Sequence, residues 1–202
     1  MQRAGSVSAS VRIADDAWVA PGAQLYGDVE VGEGCSLWPH VVVRCEANRV
    51  SVGRLTNLQD FVMVHVGYDH STLVGAFCSV THHATVHGAV VEDACLVGIN
   101  AVVMDGAVIG RGSIVAPGAV VTEGTVIPPH SIVAGVPAKV IKQRDCEREN
   151  RLNAWQYYRN ARAYERGDHR TWDGRAYREW LAWIRDAIAS DRDLAPDFDP
   201  RV

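Results

Sequence analysis

An aliphatic residue returns every six positions through most of this chain, and few folds tolerate that period. From Val91 the series runs Val91, Val97, Val103, Ile109, Val115, Val121, Ile127, Val133. A second, smaller series sits four residues after each member: Cys95, Ala101, Ala107, Ser113, Ala119, Thr125, Ser131. The N-terminal part repeats both, with Val7, Ile13, Val19, Leu25, Val31, Leu37, Val43 coupled to Val11, Ala17, Ala23, Val29, Cys35, Val41. A period of six matches neither a helix at 3.6 nor a lone amphipathic strand at two. It matches short strands joined by tight turns, three strands closing one triangular coil, with Gly, Asp and Pro between them where turns need them. Coils stacked on coils share one continuous core. A β-sandwich would not hold phase this long. The expected fold is a left-handed parallel β-helix over 1–142, followed by a C-terminal helical extension over 143–202.

The middle of the chain interrupts the count. Val43 is followed by Val52, Leu58 and Val64, which implies a short loop near Glu46 to Val50. Four extra residues around Gly67 to Ser71 separate Val64 from Val74, and Val86 to Val91 is one residue short. Counting from Val7 to Val133 gives 21 hexads, or seven coils. Beyond Val133 the pattern stops. Residues from Cys146 to Arg166 read as a helix broken by Gly167 and Asp168. Tyr177, Trp180, Leu181, Ile184 and Ile188 make the apolar stripe of a second helix that Asp173 caps, with a frayed tail after Asp191. These helices pack on the β-helix or on a neighbouring subunit.

Composition removes several classes of function. Twenty basic against 24 acidic residues, a formal charge of −4, argue against a nucleic-acid surface. The N-terminal residues 1–12 hold no apolar stretch of signal-peptide length and no segment approaches the length of a membrane span, so a cytoplasmic protein without a membrane partner is expected. Five cysteines with no CxxC pair make a disulfide framework or a cysteine-rich zinc site a poor reading.

Three histidines stand out against this frame. His65 follows Val64 and His87 follows Val86, so both hold the same place one coil apart and stack along one edge. His82 follows Val80 by two residues and belongs to another face, with His83 as its rival. A threefold trimer resolves the separation: face one of one subunit meets face three of the next, bringing His65 and His87 to the neighbour's His82. Three imidazoles plus a water make an open four-coordinate metal site, repeated three times by closed symmetry. His40, His70, His130 and His169 fall in turns or the tail.

The residues that carry this pattern also resemble the γ-class carbonic anhydrases. Trp38 to Arg44 followed by Cys45 and Glu46, then Asn57-Leu58-Gln59-Asp60, then His65-Val66, then Thr81-His82 with His87-Gly88 follow that family's order and spacing across residues 11–142. Residues 96–110 are similar to the branch found beside carnitine and phenylacetate catabolism genes. The resemblance selects His82 over His83. It implies that His65, His82 and His87 hold Zn²⁺, or Fe²⁺ or Co²⁺, at trimer interfaces, and that a metal-bound hydroxide reversibly hydrates CO₂ to bicarbonate, a lyase reaction. It implies that Gln59 orients hydroxide or substrate and that Arg44 and Glu46 form an intersubunit ion pair. Asp60 braces a neighbouring group. His70, with Asp69 beside it, is the candidate proton shuttle, because imidazole titrates near neutrality. Cys45 and Thr81 stand where the family has glycine, and both crowd the site. Two other readings stay open: a coenzyme A-dependent acyltransferase or thioesterase of the hexapeptide-repeat superfamily, and a metal-stabilised trimer without catalysis.

Overall fold

Three parallel ladders of stacked aliphatic residues run the length of the β-helix. The computed structural model describes residues 6–190, so the tail after Asp191 lies outside the described residues. Face one stacks Val7, Leu25, Val43, Val64, Val86, Val103 and Val121. Face two stacks Ile13, Val31, Val52, Val74, Val91, Ile109 and Ile127. Face three stacks Val19, Leu37, Leu58, Val80, Val97, Val115 and Val133. Seven residues per face make the seven coils that the hexad count predicts, in a mainly β solenoid with two C-terminal helices. The β-branched residues sit inside, nearly all fully buried, where a flat pleated surface packs them best.

The two interruptions behave differently. Residues 46–50, expected as a loop, belong to one continuous strand, Val42–Val52. That strand crosses from face one to face two, and a register shift opposite Gly27 and Val29 absorbs the extra residues as an exposed bulge. The insertion after His65 is a true loop. It is fastened by Asn48, whose side-chain amide donates to the carbonyls of Gly67 (2.9 Å) and Tyr68 (3.0 Å).

Helix α1 (Glu147–Glu165) and helix α2 (Gly174–Ala189) follow the coils. The Asp173 carboxylate accepts from Gly174 N–H at the start of α2, as the sequence predicts. Helix α1 lies along face three, against the strands of Leu37, Leu58 and Val80. Its Trp155 and Tyr158, with Trp180, Ile184 and Ile188 of α2, cover Leu55, Phe77 and Ala94 at three successive corners. Each buried indole contributes about 4–6 kcal/mol of burial as an upper bound. Polar residues also fix the seam. Ser79 Oγ donates to Asn153 of α1 at 2.7 Å, and the Asn150 side chain donates to the Ala94 carbonyl at 2.8 Å. The helices therefore dock on their own β-helix, and face three is roofed rather than bare. Among the described residues no helix is long and apolar enough to cross a membrane.

Candidate metal centre

Ladder register decides which histidines meet. Arg44, His65 and His87 occupy one column just past the inward residues of face one, at the corner turning to face two. His65 Nδ1 lies 2.9 Å from His87 Nε2. Each ring has a carboxylate on its other nitrogen: His65 Nε2 is 2.9 Å from Glu46, and His87 Nδ1 is 2.7 Å from Asp105. An ionised carboxylate only accepts, so each ring places its proton on the carboxylate side. The nitrogens that remain face each other as lone pairs. Such an arrangement calls for a cation between them, a shared proton or a metal ion. Carboxylate-backed imidazoles of fixed tautomer are also what a metal-binding histidine requires. The donor set therefore fits a divalent ion.

Glu46 also pairs with Arg44 of its own chain. Burial opposes ionisation of Glu46, but the hydrogen bond from His65 and the Arg44 charge hold its carboxyl below the usual range.

His82 lies at a different corner, where face three turns into face one. Its Nδ1 is 3.1 Å from the Asp60 carboxylate one coil below, which gives Asp60 the bracing position the sequence suggests. Among the described residues the three histidines do not converge within one chain; the only three-residue His/Cys/Asp/Glu group close enough to share an ion is His130, Asp145 and Glu147. That group is already engaged. Arg111 takes Glu147 with two bonds, and Asp145 accepts from the Glu147 N–H that opens α1.

Gln59 sits beside Asp60 but only 2% exposed. Its amide donates to Asn57 Oδ1 at 3.0 Å, and Asn57 in turn donates to Ser79 Oγ at 2.9 Å. This network lies under α1, so Gln59 faces the helix seam in the single chain. The imidazole of exposed His70 lies against Gly106, next to the Asp105 that backs His87. Cys45 and Thr81 do not turn polar atoms toward the histidines. The Cys45 thiol points to the Ala47 carbonyl at 3.2 Å and burial pushes its pKa up, while the Thr81 hydroxyl donates to the Val97 carbonyl at 2.8 Å.

Two features escape the sequence reading. Asp105 is one; the available signal was the coil count, which lays the Met104–Gly106 turn over His87 and Gly88. The other is a cleft of about 600 Å³ beside His82 and Asp60, walled by Trp38, Tyr157, Tyr164 and Trp172. It exists because α1 and the α1–α2 connection overhang that corner. Trp38 stands edge-on to Tyr157 and Tyr164, with ring centroids 5.4 and 4.9 Å away. Burial, then the Asp60 charge, pushes the Tyr157 hydroxyl up to about 12.

With α1 over face three, the surface available next to His82 is the corner and not the flat of that face. The two histidine positions thus flank face one, His65 and His87 on one edge and His82 on the other.

Comparison with known proteins agrees with this architecture. A family model described as bacterial transferase hexapeptide (six repeats) matches residues 10–45 and 88–123. The chain is 46% identical over 125 residues to the probable carbonic anhydrase of Methanocaldococcus jannaschii, covering 62% of this chain and 79% of that one. It is 42% identical over 92 residues to the mitochondrial gamma carbonic anhydrase 1 of Arabidopsis thaliana, covering 43% of this chain and 34% of that one, about a third of the plant protein's length. It is 40% identical over 128 residues to the carnitine operon protein CaiE of Salmonella newport, covering 63% and 65%. Among solved structures, a hexapeptide transferase family protein from Anaplasma phagocytophilum superposes with a TM-score of 0.68 at 31% identity, covering 78% of this chain and 92% of that one.

Proposed function

The chain belongs to the hexapeptide-repeat family, among the γ-carbonic-anhydrase-like proteins, and from that premise we propose that it is a metal-dependent enzyme hydrating CO₂ to bicarbonate at sites shared between the subunits of a homotrimer. The observation that carries the reading is the pair of imidazole nitrogens facing each other 2.9 Å apart, each ring backed by a carboxylate.

His65 and His87 hold the ion from one chain and His82 of the adjacent copy supplies the third nitrogen. Glu46, Asp105 and Asp60 orient the three rings. Zinc, or ferrous or cobalt ion, supplies a Lewis acid that makes a water nucleophile available near neutral pH. Arg44 compensates the Glu46 charge. Gln59, buried beneath α1 and donating to Asn57 Oδ1, braces the helix seam beside Asp60 and not the reacting oxygen. His70 stands at the exposed edge beside Asp105 and passes protons to solvent. Face one lies between the two half-sites, so cyclic closure puts three copies of face one around the axis and joins unlike corners.

A mixing experiment tests the sharing directly. His65→Ala and His82→Ala chains should each lack bound metal and CO₂ hydration. Unfolded and refolded together, they should regain a fraction of both, because some interfaces then unite an intact His65–His87 pair with an intact His82. No recovery, with each variant still folded, overturns the shared site.

The cleft beside His82 favours one second reading, acyl transfer or thioester hydrolysis with coenzyme A, since 600 Å³ far exceeds what CO₂ needs. An activity that survives removal of the metal would select it.

A further inference from the structure

Tyr68 is the most exposed large apolar residue among those described, at 94%, yet its loop is built with care. Asn48 clamps the carbonyls of Gly67 and Tyr68, and Gly67 N–H donates to the His70 carbonyl at 2.9 Å. Asp105 approaches so near that a Cβ on Gly67 would lie 1.8 Å from its Oδ1. A fastened loop that presents a bare aromatic ring to water incurs an ordering cost with no packing return inside the chain.

The loop starts two residues after His65, at the corner between faces one and two. The cleft of Trp38, Tyr157, Tyr164 and Trp172 opens beside His82, at the corner between faces three and one. If His82 of one copy joins His65 and His87 of the next, these two features are pressed together by the same contact. Their chemistry matches. The cleft is walled by aromatic rings that favour edge-on partners, and its rim carries His169 and Arg170 where the loop carries Asp69.

We propose that Tyr68 of each chain inserts into the aromatic cleft beside His82 of the adjacent copy and forms a wall of the shared site. The inference rests on the shared-site reading and deepens it. A seated Tyr68 narrows the cleft on the side of the shared site, so the space beside His82 is smaller in the assembled protein than in the single chain.

Three measurements on the whole chain test this. Light scattering gives the oligomeric state, and nitration of tyrosine by tetranitromethane, read at Tyr68 by mass spectrometry, gives its burial. All five native cysteines are buried, so a Tyr68→Cys, Arg170→Cys double variant reports proximity through the introduced thiols alone. The expected result is a trimer in which Tyr68 nitrates far more slowly than in the urea-unfolded chain, and in which mild oxidation of the double variant, but of neither single variant, links chains on a non-reducing gel. A trimer with Tyr68 nitrating at the unfolded rate overturns this inference and leaves the shared site standing. Protection without a cross-link overturns it too, because Tyr68 is then buried elsewhere. A monomer overturns the shared site and this inference with it.

Discussion

His65 Nδ1 and His87 Nε2 stand 2.9 Å apart, held there by carboxylates on the far side of both rings. The Asp105 bond, at 2.7 Å, fixes the His87 tautomer that leaves Nε2 as the lone pair. Asp105→Asn keeps the shape but presents either an amide N–H or a weaker acceptor to Nδ1. Loss of such a partner costs roughly 10–100-fold in metal affinity. Competition against a chromophoric chelator should show that weakening with an unchanged circular dichroism spectrum; full affinity in the variant removes Asp105 from the site.

Metal should hold the subunits together as well as serve chemistry. An ion that binds only the assembled state stabilises it by about 2.7 kcal/mol per site at 100 times its Kd. Chelation should therefore lower the Tm, and the drop should grow as the protein is diluted. His82→Ala should abolish the difference between metal-loaded and stripped protein. His83→Ala should preserve it, because His83 stacks on Phe61 with centroids 4.8 Å apart and points along that ladder. A stripped protein as stable as the loaded one would refute an interfacial metal.

The β-helix was legible because each hexad repeats one physical demand, an aliphatic residue inward and a small one beside the turn. Counting hexads also gave the Arg44, His65, His87 column, since ladder register follows from the count alone. Three things were not legible. The bulge of residues 46–49 looks like a loop in sequence, because only pairing with Gly27 and Val29 shows that the strand continues. The roof over face three depends on where α1 docks, and an apolar stripe does not name the surface it covers. Asp105 sits in an ordinary turn, and its tie to His87 crosses a coil boundary that the shortened hexad after Val86 displaces by one residue.

The buried thiols give the native state an alkaline limit. Burial pushes Cys35 and Cys95 from an ordinary 9.0 up to about 12. A group whose folded pKa is raised keeps its proton after the unfolded chain has lost it. The stability it contributes is full below about pH 9 and is lost as pH rises from there toward 12. The urea midpoint should fall across that window, and a Cys35→Ala, Cys95→Ala variant should show a shallower fall. At neutral pH a thiol reagent should label neither residue until urea is added. Prompt labelling of the native protein would contradict their burial.

Gly27 links the β-helix backbone to the geometry of the site. It pairs with Cys45, at φ +92°, and a Cβ there would lie 1.7 Å from the Cys45 carbonyl oxygen. That obstacle is backbone and cannot swing aside. Gly27→Ala must either break the pairing or push the strand outward, at a cost on the order of 3 kcal/mol or more. The urea midpoint should drop with its m value unchanged. Gly118→Ala is the control, since its φ of +70° is similar but nothing lies within 4 Å of the added methyl; it should lose only about 1 kcal/mol. Arg44 and Glu46 flank Cys45, so displacing that strand also moves Glu46 from His65. Gly27→Ala should therefore weaken metal binding while Gly118→Ala leaves it intact. Equal metal affinity in the two variants would mean that the bulge adjusts independently of the histidine column.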